Sequence, residues 1–75
     1  MLKDVEKSVR ERFGERVRQL RAEHELTQED LAYRSGVGRV FISQIENGHK
    51  EACLGVLDAL AGSFKITLSE LMKGV

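Results

Sequence analysis

The residues whose types and spacing could do chemistry lie between Thr27 and Gly48, in the run TQEDLAYRSGVGRVFISQIENG. On a helix turning about 100° per residue, Val40, Ser43, Gln44 and Asn47 group on one face, with Arg39 and Phe41 at its flanks. Arginine can grip a guanine edge, glutamine an adenine edge, and valine can touch a thymine methyl. An ordinary solvated helix would more typically carry Glu and Lys on that face. Arg39, Val40 and Gln44 are therefore candidate base readers, and Ser43 shares their face. Gln28 lies in the first turn of the preceding helix. Its amide and the unbonded backbone N–H groups beside it suit a phosphate, the alternative being an ordinary exposed glutamine. His49 and Lys50, just past Gly48, are loop donors with the same potential use.

Two elements must position these groups. Thr27 can cap a helix over 28–35 with Asp30 three places on, and Leu31 and Ala32 face inward. Gly36 suits a left-handed residue after that helix, and Val37 can then enter the core. Gly38 is the expected cap of the next helix, 39–47, which turns Ile42 and Ile45 inward, and Asn47-Gly48 ends it. Two helices joined by a short Gly-containing turn form the outline of a helix-turn-helix, whose second helix can enter the DNA major groove. Glu46 falls at the edge of the buried face, where a carboxylate wants a partner.

The flanking segments read as helices too. Leu2, Val5, Val9, Phe13, Val17 and Leu20 recur at helical spacing over residues 2–24, with Asp4 and Glu6 suiting the start. Gly14 interrupts this helix and marks either a kink or a close packing contact. Arg10, Arg12, Arg16, Arg18 and Arg21 form either a basic stripe or a solvated face bridged to neighbouring glutamates. Residues 53–61 form a fourth helix with Leu54, Leu57, Leu60 and Ala61 inward, stopped by Gly62. Thr67 and Glu70 make a capping box for a short fifth helix. Leu68, Leu71 and Met72 on that helix are candidates for a dimer contact, the alternative being that they close the core.

The bounds are narrow. Seventy-five residues make one small domain, 1–75, with residues 1–12 as an N-terminal helical extension. The absence of Pro and Trp and the single Tyr favour helices over a sandwich or barrel, so the fold class is all-α. A single Cys makes no internal disulfide and fits a reducing, cytoplasmic setting. No apolar run is long enough for a membrane span. The formal net charge of zero argues against nucleic acid when taken alone, but the arginines cluster before residue 22 while Glu23, Glu25, Glu29 and Asp30 follow without a cation.

Together, Leu20-Arg21, Leu26–Ala32, Ser35-Gly36-Val37, Arg39, Ile42-Ser43, Ile45–Gly48 and the Leu-Ser-Glu-Leu at 68–71 resemble the Cro and phage-repressor class of helix-turn-helix domains, the XRE family. The likeness covers residues 13–73. The Thr27–Tyr33 run is similar to that of controller proteins of restriction–modification systems. The resemblance implies a compact five-helix bundle of the lambda-repressor-like type, and a symmetric homodimer on a near-palindromic double-stranded DNA operator. It implies that Gln28 and Asn47 touch phosphate, that Arg39, Val40 and Gln44 face bases, and that Ser43 lies near the backbone or a base edge. It also implies that Arg21 pairs with Glu46. The chain departs from the family's pattern at Gly38, where Ser or Thr is frequent, at Val40-Phe41, where controllers carry Thr-Tyr, and at Ala52-Cys53, where Pro precedes Ser or Thr.

Other chemistry finds little support. His24, His49 and Cys53 are too scattered for a zinc site, and Cys53 reads as a small residue at a helix start. No nucleophile sits beside a base and an orienting acid, and no phosphate loop is present, so neither an enzyme, a cofactor nor a small-molecule ligand is expected. The expected function is sequence-specific transcriptional regulation, by repression or activation. The rivals are an antitoxin that holds a toxin protein and autoregulates its operon, and an interaction module that has lost DNA binding.

Overall fold

The computed structural model describes residues 6–75, and over these the chain is all-helical. Five helices run in order: α1 Val9–Glu23, α2 Gln28–Ser35, α3 Arg39–Glu46, α4 Leu54–Phe64 and α5 Leu68–Leu71. The expected helical positions Leu2, Asp4 and Val5 lie outside the described residues. Glu6 lies before the helix. α1 starts behind Ser8, whose side chain accepts from the Glu11 N–H while Glu11 accepts from the Ser8 N–H at 2.8 Å. That S-x-x-E box satisfies two otherwise orphaned donors, which is why the helix begins there and not earlier.

The core is one cluster. Phe13, Val17 and Leu20 from α1 meet Leu31 of α2, Ile42 and Ile45 of α3, Leu60 and Phe64 of α4, and Leu71 of α5. α1 packs against α3, α2 against both α3 and α4, and α4 against α5. The helix-turn-helix pair thus lies between the first helix and the last two.

Three expectations need correction. α4 does not stop at Gly62 but runs to Phe64 and ends on Lys65 in the left-handed region at φ 58. Phe64 is buried, and burying such a side chain is worth about 1.5–3 kcal/mol, more than the roughly 1 kcal/mol that an internal glycine costs. Leu54 does not face inward but is 77% exposed at the first position of α4. Leu71 is fully buried and is part of the core, so it is no candidate for a dimer contact. Of that trio, Met72 packs partly against the core and only Leu68 is exposed.

Capping by Thr27 and Thr67 makes a prediction about acid. Backbone and side-chain hydrogen bonds from Thr27 hold the Asp30 carboxyl below its usual range, and those from Thr67 do the same for Glu70. A carboxyl with a lowered folded pKa stabilises fully above its unfolded pKa and loses that contribution as pH falls through the folded one. Urea midpoints are expected to fall on the acid side only, from about pH 5 downward. The fall should be shallower in Asp30→Asn, which removes the titrating carboxyl altogether; identical acid profiles would refute this account.

Candidate nucleic-acid interface

α3 is the element that carries the candidate readers. Its N-cap is Gly38, which offers no side-chain acceptor, so the N–H groups of its first turn are uncapped by any side chain. Arg39 stands exposed at the first helical position, and Val40 is 64% exposed beside it. Ser43 and Gln44, one turn on, are half-buried. Phe41, which the helical wheel puts at the flank, packs against the core. Arg39, Val40, Ser43 and Gln44 therefore lie on the side of α3 away from Ile42 and Ile45, with Arg39 and Val40 standing furthest out.

The helix ends one residue before the expected 47. Asn47 is its C-cap, and its side-chain Nδ2 donates back to the Ser43 carbonyl at 2.9 Å. Gly48 follows in the left-handed conformation, and the N–H of His49 returns to Gln44 O at 2.8 Å. The turn carrying Asn47, His49 and Lys50 is thereby folded onto the last turn of α3, and all three side chains are exposed.

Glu46, next to inward-facing Ile45 on α3, is only 3% exposed. Arg21 grips it with both branches of the guanidinium, Nε to Oε2 at 2.6 Å and Nη2 to Oε1 at 2.9 Å. This is the forked geometry that suits carboxylates, and the hydrogen bond to Glu46 raises the Arg21 pKa above its already high value. Arg21 also donates to Leu26 O at 3.0 Å. Gln28 supplies a third bond, Nε2 to Glu46 Oε1 at 3.0 Å. One buried carboxylate thus joins α1, α2 and α3. Gln28 thus commits one side-chain donor to Glu46.

Two residues of α1 meet the backbone of α3: Gly14, for which the close packing contact is the alternative that holds, and Arg18, whose role the sequence does not reveal. At Gly14, a Cβ would lie 2.6 Å from the carbonyl oxygens of both Ile45 and Glu46. The glycine lets α1 touch the backbone of α3. Arg18 donates to Glu46 O, so it satisfies a carbonyl at the C-terminal end of α3. Two more α1 arginines, Arg12 and Arg16, behave alike. Arg16 donates to Leu71 O at 3.1 Å and Glu70 O at 2.6 Å, and Arg12 to Val75 O. Orphan carbonyls at helix ends need such donors, and no sequence pattern names a backbone acceptor. The internal Gly14 was the one available signal.

Among the described residues no helix is long and apolar enough to cross a membrane. The chain is similar to the control protein C.MunI of a Mycoplasma species, at 37% identity over 65 residues that cover 85% of this chain and 88% of that protein. Other curated relatives that it matches, among them a Deinococcus regulator and a phage immunity repressor, are more than twice its matched length. Its fold superposes on the restriction–modification controller C.AhdI from Aeromonas hydrophila with a TM-score of 0.80 at 35% identity, covering 83% of this chain and 94% of that one. It also superposes on the controller C.Esp1396I, solved as a tetramer on its natural 35-base-pair operator, with a TM-score of 0.78 at 25% identity, covering 91% and 93%. The helix-turn-helix family profile matches residues 17–71, which span the Glu46 hub and the whole of α2 to α5, and on that ground the chain belongs to the XRE-type helix-turn-helix family.

Proposed function

We propose that this chain is a cytoplasmic, dimeric transcriptional regulator that reads a near-palindromic operator with α3. The observation that carries the reading is the outward face of α3, where exposed Arg39 and Val40 adjoin half-buried Ser43 and Gln44 over a rigidly held helix. Arg39 and Gln44 are assigned the hydrogen bonds to base edges, Val40 the thymine methyl, and Ser43 a base edge or the adjoining backbone. Asn47, His49 and Lys50 are assigned phosphates, together with the backbone N–H groups at the start of α2 beside Gln28. Support for a multi-subunit regulator comes from C.Esp1396I, a tetramer on its operator. Support for binding without catalysis comes from the family, whose members are non-enzymatic regulators. Leu68 is an exposed apolar residue assigned to the contact with a second copy. The whole of residues 1–75 serves as one DNA-binding domain in this reading.

Selection of bound sites from a random duplex pool tests it. The expected product is a palindrome with half-sites about 10 bp apart, one helical turn. Absence of enrichment would sink the proposal. On the selected site, Arg39→Ala and Gln44→Ala should each weaken binding by roughly 1–3 kcal/mol and relax the preference at one base pair. Equal loss on cognate and scrambled duplexes would move both residues from base reading to phosphate contact.

A further inference from the structure

We propose that Arg10 is a further phosphate-binding residue, held in reserve by Glu51. The inference rests on the DNA-binding reading above and adds a site to it. The formal net charge is zero, yet docking on DNA requires cations that displace condensed counterions.

The arginines of α1 differ in how they are held. Arg12, Arg16 and Arg18 donate to backbone carbonyls, and Arg21 to the buried Glu46. Those four are built into the fold. Arg10 instead faces the Glu51 carboxylate, Nε to Oε2 at 3.4 Å, with side-chain exposures of 48% and 72%. An ion pair so exposed is weak in water and is screened by salt. A phosphate offers the same guanidinium a charge-assisted, forked contact, so the exchange is easy.

The geometry puts this pair at the edge of the proposed interface. The N–H groups of Gly48 and His49 bond to Ile45 O at 3.0 Å and Gln44 O at 2.8 Å, which folds the 47–50 turn onto the end of α3. The first turn of α1 lies directly against that turn: a Cβ on Gly48 would be 3.1 Å from Glu11 Cγ and 3.4 Å from Glu11 Cα. Arg10 is the neighbour of Glu11, and with Lys50 and Glu51 it lines a groove shared with Val9, Phe13, Leu57 and Met72. Asn47, Lys50 and Arg10 thus extend the phosphate-facing rim from the end of α3 onto the start of α1. Glu51 acts there as an internal competitor. It occupies Arg10 in the free protein and so lowers affinity for every DNA sequence, which keeps non-specific binding weak.

The test measures affinity for the selected operator and for a scrambled duplex across a range of salt concentrations. Arg10→Ala should flatten the dependence of log K on log salt by about 0.9 on both duplexes, one phosphate contact. Glu51→Gln should tighten both by roughly two- to five-fold, the release of a weak surface pair. That gain should vanish in the Arg10→Ala/Glu51→Gln double variant. An unchanged salt slope for Arg10→Ala would overturn the proposal. So would a Glu51→Gln gain that survives in the double variant, because Glu51 would then act by repelling DNA itself. Failure of the parent chain to bind any duplex is a separate result, and it would strike down the DNA-binding reading along with this one. Both positions are exposed, so thermal melts of the variants should match the parent.

Discussion

Arg21→Ala is expected to cost about 3–5 kcal/mol of folding stability, because it strands a buried carboxylate with only one hydrogen-bond donor left to it. Glu46 is 3% exposed, and after the change only the Gln28 amide would remain on its side chain. A 75-residue domain has a total margin of roughly 4–11 kcal/mol, so this variant should stand near the edge of unfolding. Urea denaturation followed by circular dichroism measures the loss. A second variant separates the charge from the packing. Replacing the pair with apolar residues, Arg21→Met with Glu46→Leu, leaves no stranded charge and should recover most of the stability. If the double variant is as unstable as the single one, the burial of an unpaired charge is not the cause. Loss of Arg21 should also weaken operator binding beyond its effect on folding, since the same carboxylate ties α3 to α1 and α2.

Gly14→Ala is expected to destabilise by about 3 kcal/mol, against the sign that helix propensity alone would give. An alanine inside a helix is normally favoured over glycine by up to about 1 kcal/mol. Here the new methyl would meet the Ile45 and Glu46 carbonyl oxygens at 2.6 Å and the Glu46 carbonyl carbon at 2.9 Å. These are backbone atoms of a packed helix and have no rotamer in which to move aside. Overpacking of this kind typically costs about 1–3 kcal/mol, and a backbone clash belongs at the upper end. Thermal and urea midpoints of Gly14→Ala and Gly62→Ala make a matched pair. Gly62 is exposed within α4 with nothing near its missing Cβ, so alanine there should stabilise. Stabilisation at both positions would refute the close approach of α1 to α3.

The sequence was most legible where the physics is local. Thr27 with Asp30 and Thr67 with Glu70 cap helices through residues three apart, and both boxes are present. The inward residues Leu31, Ile42 and Ile45 follow from helical period alone. The Ser8–Glu11 box was equally local, but the apolar spacing continued back to Leu2 and drew the helix start with it. Non-local choices were less visible. Gly62 looks like a stop until Phe64 is seen in the core, and Leu71 looks spare until the other helices close around it. The two roles offered for Gly14 differ only in what lies opposite, and that is the backbone at residues 45 and 46. Neighbouring glutamates are the partners that local spacing offers the α1 arginines, whereas Arg12, Arg16 and Arg18 donate to carbonyls far along the chain. For the interface, residue types on the face of α3 were readable, while the engagement of Gln28 by Glu46 depends on a contact across 18 residues.

The long reach of those arginines has a consequence for the order in which the molecule becomes whole. Arg16 and Arg12 close contacts spanning 55 and 63 residues, so α1 is completed by residues 71 and 75, which are made long after it. At roughly 5–20 residues per second, the partners of α1 leave the ribosome several seconds after it does. By then both arms of the helix-turn-helix have already been synthesised. Until residues 71–75 arrive, the arginines of α1 have no carbonyls to hold there, and the apolar stripe behind them lacks Phe64 and Leu71 for most of that time. The helix-turn-helix therefore exists as sequence, and even as helices, before it exists as a surface held in place by α1.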